Sequence, residues 1–270
     1  MVPYLVNIGF LQVSSLVVFT ILAGIVGVFL VWRQAKEQLY NEHSIFDTIL
    51  LSGIGGLIFA RLGYVVLHMD IFGLSPLRVL TFWVYPGLFL YTGIIGIVLF
   101  IWLQAHKHKE LEFWRLMDMY AFAFWAGSII SFFGAFLAGT EMGIESPIPH
   151  VAHPVTLYKV IIFSIFFVPY AIFRRDHDKE DIFHKTTGSI GLIILQLFLL
   201  VSFAIDFMKV RHTYYGLSDD QWVAGLLFIT AACALLLRWH ATRDQRMSRF
   251  SRMKEFLSRT FARQQNRWWW

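Results

Sequence analysis

Seven stretches of this chain are apolar for long enough, or nearly so, to cross a hydrocarbon layer: Leu11 to Trp32, Ile49 to His68, Gly87 to Leu103, Met119 to Leu137, Val155 to Phe173, Ile190 to Met208 and Trp222 to Leu237. A hydrocarbon core about 30 Å thick takes about 20 helical residues, so the third and last runs need their flanks or a locally thinner bilayer. Lipid cannot satisfy exposed N–H and C=O groups, and each run far exceeds a barrel strand, which leaves α-helices. Composition agrees: 57% of residues are hydrophobic, 15% are charged and the mean hydropathy is +0.59, outside the range of ordinary soluble domains. The expected fold is an all-α integral membrane protein, with seven transmembrane helices over residues 1–238 and a basic tail over 239–270.

Orientation follows from lysine and arginine. With the N-terminus outside, 18 of the 23 fall on the inner side, nine of them from Arg238 onward, while the outer connections hold Arg78, Lys209 and Arg211. This bias places the N-terminus outside and the C-terminus in the cytoplasm. The net charge of +5 resides mainly in the tail, where Met247, Phe250, Leu257 and Phe261 recur at helical spacing among arginines. That is the pattern of an amphipathic helix on an anionic leaflet, with Trp268 to Trp270 as an interface anchor, and it is no nucleic-acid footprint. The first run lacks a basic flank before it and a small-residue cleavage site after it, so a retained helix is expected rather than a signal peptide. A single cysteine, Cys233, sits within the last run and leaves no disulfide to form within the chain,.

Charges inside membrane spans are costly and mark pairs, pathways or sites. Here they are few and lie towards one side. Arg61 is just past the middle of the second run, Lys159 about one turn into the fifth, and Asp206 near the end of the sixth; Tyr91 is about one turn into the third. Glu141, Glu145, His150 and His153 occupy the connection between the fourth and fifth runs. All fall in the outer half, so a site is expected there. Each residue also has a simpler role. Lys159 can snorkel or pair with Asp206, and Arg61 can tie helices together through backbone carbonyls. The His150-x-x-His153 spacing has no third ligand beside it, so no metal is expected. Asp118 suits the start of the fourth helix, where a carboxylate meets the helix dipole.

The segment SFFGAFLAGTEMG, residues 131–143, carries Gly134, Gly139 and Gly143 among phenylalanines and alanines with one late carboxylate, Glu141. Around it stand IGFLQVSSLVV, ARLGYVV with Arg61 and Tyr64, PGLFLYTGIIG with Gly87, Gly93 and Gly96, and Asp118 at the start of the fourth helix. HPVTLY with His153, Pro154, Leu157 and Tyr158 follows, then GLIILQLFLLVSFAIDFMK and Gln221 opening the last helix. In order and spacing these motifs resemble the prolipoprotein diacylglyceryl transferases of bacterial inner membranes, over nearly the whole chain. The resemblance implies a multi-pass protein of the bacterial plasma membrane. It implies transfer of diacylglycerol from phosphatidylglycerol to the thiol of a lipobox cysteine in a preprolipoprotein, at the outer leaflet and without a cofactor.

That chemistry needs cationic donors for a phosphate leaving group, a route to deprotonate a thiol, and a lateral opening for lipid. Most of the family's side chains for it are replaced. Its signature arginine falls on Phe132, the two following asparagines on Ala135 and Ala138, and its glutamate on Thr140, with Glu141 one residue late. Its third-helix histidine is Tyr91, and its polar and aromatic group in the first helix falls on Ser14, Ser15 and Leu16. In the sixth helix an arginine falls on Ser202 while Asp206 and Lys209 are conservative replacements; the glutamate after Leu-Tyr has become Lys159. By this resemblance the candidates for catalysis are Tyr91 and His153. Those for a lipid headgroup are Arg61, Lys159, Lys209, Arg211, Asp206 and Glu141. The framework is Gly87, Gly93, Gly134, Gly139, Gly143, Pro154 and Tyr158. Two classes compete: an altered family enzyme, and a non-catalytic phospholipid- or protein-binding component on the same scaffold. A transporter is disfavoured by the lack of inverted repeats or paired interrupted helices.

Overall fold

In the computed structural model seven helices among the described residues are long and apolar enough to cross a membrane, one for each apolar run. They are α1 (Ser15–Glu37), α2 (Glu42–Leu67), α5 (Leu90–Lys107), α6 (Phe113–Ala138), α7 (Val155–His177), α8 (Ser189–Asp206) and α9 (Asp219–His240). Between α2 and α5 the chain makes two short helices, α3 (Met69–Phe72) and α4 (Pro76–Leu80), the second opened by its proline. The structure describes residues 4–8, 11–73, 75–81, 84–141, 143–144, 152–177, 188–209 and 214–240. Arg211, Glu145, His150 and the tail from residue 241 lie outside these.

One boundary departs from the sequence expectation in kind, from helix to strand. The first run was expected to be helical from Leu11, but α1 starts at Ser15, and Leu11–Ser14 is strand β2, antiparallel to β1 (Tyr4–Ile8). The reason is local: Val6, Ile8 and Val13 alternate with Asn7, Gln12 and Ser14, a period of two that an apolar count overlooks. The short α5 and α9 gain their length from their flanks. At the start of α9 a reciprocal cap forms, in which the Ser218 N–H donates to Gln221 Oε1 and the Gln221 N–H donates to Ser218 Oγ,.

The helices pack as two close pairs, α1 on α6 and α2 on α5, with α7 and α8 also against α6. Small residues make the pairs close. A Cβ added at Gly96 would lie 2.8 Å from the Gly55 carbonyl oxygen, and one at Gly127 3.3 Å from that of Ala23, the spacing by which backbones approach in lipid. Across the middle of the bundle Phe89, Tyr91, Ile94, Trp125, Phe163, Phe198 and Leu199 form an apolar core, with Phe124 and Phe132 packed onto it. Phe163 lies stacked on Phe198 with ring centroids 5.2 Å apart, and Phe132 lies 5.9 Å from Phe163.

Candidate functional site

Four charged side chains meet where α6 ends, α7 begins and α8 ends. Lys159 Nζ is 3.0 Å from Asp206 Oδ1; the same oxygen is 2.8 Å from Lys209 Nζ, which is 2.9 Å from Glu141 Oε2. The set is two cations against two anions and so neutral in sum. Its centre is dry: Lys159, Asp206 and Lys209 keep at most 5% of their side-chain surface exposed, and only Glu141, at 28%, touches the outside. Lys159 therefore does not snorkel. It pairs, and its ammonium lies 5.1 Å from the centroid of the Phe132 ring, so this phenylalanine faces a buried cation,.

The backbone explains how sequence-distant residues meet. Gly139 ends α6 in the left-handed conformation at φ 69°, which a glycine adopts without strain,. The following segment then pairs with two others: the Gly143 N–H donates to the His153 carbonyl, and the Ile144 N–H to that of Met208. A Cβ at Gly143 would sit 2.6 Å from the Met208 oxygen, so this crossing requires glycine. The pairing of Gly143 with Lys209 carries Glu141 to Lys209. Among the described residues, Asp206 Oδ2 and the Ser202 hydroxyl, both buried and one turn apart on α8, have no hydrogen-bond partner. A guanidinium at position 202 would be in reach of Asp206; the serine is not bonded to it.

The two catalytic candidates lie in different surroundings. Tyr91 is buried, its ring edge against Phe89 at 5.6 Å, within the aromatic core. His153, just before α7, has Nδ1 2.9 Å from the Tyr158 hydroxyl, so Tyr158 contributes a polar partner as well as framework. Pro154 supplies the carbonyl that accepts the first N–H groups of α7, from Leu157 and Tyr158. Gly134 lies against Phe19 of α1, and Gly93 against Ala60 of α2, both as helix packing.

Arg61 lies apart from the quartet. Its Nε donates to the Val79 carbonyl, Nη1 to those of Tyr85 and Gly87, and Nη2 to that of Arg78, while Phe72 covers it. The carbonyl-tying role thus describes its geometry, and it clamps the α2–α5 connection over the helix ends. Asp118 corrects the expectation made for it. Its carboxylate accepts the N–H groups of Gly188 and Gly191 at 2.7 and 2.6 Å, so it serves the N-terminus of α8 rather than that of its own helix,. No local pattern around Asp118 announces this, because the partner is 70 residues away.

Comparison with known proteins agrees with the motif order. A family model described as prolipoprotein diacylglyceryl transferase matches residues 3–238. The phosphatidylglycerol–prolipoprotein diacylglyceryl transferase of Bordetella parapertussis is 24% identical over 239 residues, covering 77% of this chain and 88% of that protein. The protein of the same name from Tolumonas auensis is 25% identical over 232 residues, covering 77% and 86%, and that from Chromohalobacter salexigens 24% over 226 residues, covering 78% and 81%.

Proposed function

The chain belongs to the prolipoprotein diacylglyceryl transferase family, and on that premise we propose that it is a non-catalytic, phospholipid-binding member of it, with the ion quartet facing the outer leaflet. The observation that carries the non-catalytic part of this reading is the quartet itself, and the phospholipid part rests on family membership. Transfer from phosphatidylglycerol requires cationic donors free to take up charge on a phosphate as it leaves. Here Lys159 and Lys209 both spend their charge on Asp206, Lys209 on Glu141 as well, and the nearest replacement for the signature arginine is the Phe132 ring. A planar guanidinium that grips a phosphate through paired hydrogen bonds has no equivalent in a phenyl ring.

A second reading, an altered transferase, is favoured by one observation: the contact of His153 with Tyr158 is an imidazole–phenol pair able to move a proton,. Incubating the purified protein with phosphatidylglycerol and a lipobox peptide separates the two. The non-catalytic reading expects no loss of free thiol and no glycerol phosphate released beyond a protein-free control. Turnover comparable to that of the Tolumonas auensis protein would reject it, and loss of that turnover in His153→Ala would support the second reading.

A further inference from the structure

Gly24, Gly27 and Gly53 differ from most helical glycines of this chain in what a side chain there would meet. At Gly55, Gly56, Gly93, Gly96, Gly127, Gly134 or Gly191 an added Cβ would run into a neighbouring helix; at Gly24, Gly27 and Gly53 it would meet nothing within 4 Å. These three border one apolar pocket, of about 270 Å³, formed by α1, α2, α5, α6 and α8 and open on its α1–α2 side, where Gly24, Val28 and Gly53 are exposed. Its walls are apolar, among them Val28, Val31, Ile97, Ile101 and Met117. Ser52 and Tyr120 bring hydroxyls to it, but these lie 3.0 Å apart and bond one another. The cavity occupies the half of the bundle holding the C-terminus of α1 and the N-terminus of α2, away from the quartet. Along α8, Leu195 at the cavity and Asp206 in the quartet are separated by about 16 Å of helix, and the aromatic core lies between.

A closed apolar cavity of roughly 150 Å³ already binds a small hydrocarbon; this pocket has more room and opens sideways. It lies within spans that cross the membrane, where the hydrocarbon at hand is acyl chain. α1 and α2 touch each other far less than they touch α6 and α5, and the glycines stand along that loose seam. We propose that this cavity binds one acyl chain of a glycerolipid from the leaflet at the Glu37–Glu42 end, inserted sideways between α1 and α2. The charges at that end pair among themselves, Arg33 with Glu37 and Lys36 with Glu42. The site therefore reads the chain and is indifferent to the headgroup. It is separate from the quartet and does not rest on the function proposed above.

The test is photolabelling of the full chain in nanodiscs, with phosphatidylglycerol or phosphatidylethanolamine bearing a diazirine at one acyl carbon, mapped by peptide mass spectrometry. Both lipids should label the cavity alike. A diazirine near the glycerol should mark Val31, Ile101 and Met117, and one at the chain terminus Ile94 and Phe124, an order that tests the proposal without any variant. Gly27→Leu and Gly53→Leu, whose side chains enter open space, should lose most of this labelling while melting like the wild type; Val28→Phe fills the same cavity from another position should either fail to fold. The proposal is overturned by labelling confined to the lipid-facing residues Ile21, Ile25, Leu50 and Leu57, by the reverse order of carbons, or by cavity labelling unchanged in the filled variants.

Discussion

The two halves of this bundle solve the same packing problem in opposite ways. At the quartet end, rings and paired charges fill the space: Phe132, Phe163 and Phe198 stack beneath Lys159, and Asp206 is shared by two lysines. At the other end three glycines border an open-sided apolar pocket that no side chain fills. The glycines show the contrast best, since Gly143 is pressed against the Met208 carbonyl while Gly27 faces open space. The same residue type holds one end shut and the other open. The quartet end is closed around its own charges, while the other end keeps a lipid-sized apolar pocket.

The first way to break this comparison is to turn the bundle over. In a chain with Cys233 replaced by serine, Tyr215→Cys should react with an impermeant thiol reagent in intact cells, and Leu39→Cys only after permeabilisation; both positions are almost fully exposed. The opposite pattern would move the quartet to the cytoplasmic leaflet. Next in size is Asp206→Asn, which leaves Lys159 and Lys209 buried with Glu141 as their remaining partner. Breaking a buried pair costs about 3–5 kcal/mol, read as a lower melting temperature in detergent. Lys159→Met should cost less, because Asp206 keeps Lys209, and adding it to Asp206→Asn should recover part of the loss. Were Lys159→Met the worse of the two, Asp206 would not be the shared centre. The smallest effects have opposite signs. Gly143→Ala should destabilise by about 1–3 kcal/mol through overpacking against backbone, and Gly27→Ala should stabilise by up to about 1 kcal/mol through helix propensity. Equal effects would erase the difference between the two ends.

The helices were legible in the sequence because lipid permits so few structures, and long apolar runs state them directly. The β1–β2 hairpin was not, since Leu11 and Val13 continue an apolar run while their alternation with Gln12 obeys a different period. The pairing of Lys159 with Asp206 could be foreseen as one of three roles for the lysine, beside snorkelling and holding a headgroup, as could the carbonyl contacts of Arg61. The joining of Lys209 to Glu141 could not, because it depends on Gly143 and Lys209 pairing across a connection of more than 60 residues. Asp118 was placed on the right kind of partner, a helix N-terminus, but on the wrong helix. The cavity was invisible for a general reason. Gly53 and Gly55 read alike in a sequence, and only the neighbours that each meets, none for Gly53 and Phe100 for Gly55, tell a void from a contact.

The central claim is that the buried charges at the quartet end hold the protein together instead of holding a phosphate. Native mass spectrometry of phosphatidylglycerol retained by the wild type, Lys159→Met and Asp206→Asn tests it most directly. The account predicts equal retention in all three folded proteins. If Lys159 instead contacts a phosphate, its loss should weaken retention by about 1.5–3 kcal/mol, the usual contribution of a hydrogen bond to a charged group. A selective drop of that size in Lys159→Met would contradict the account.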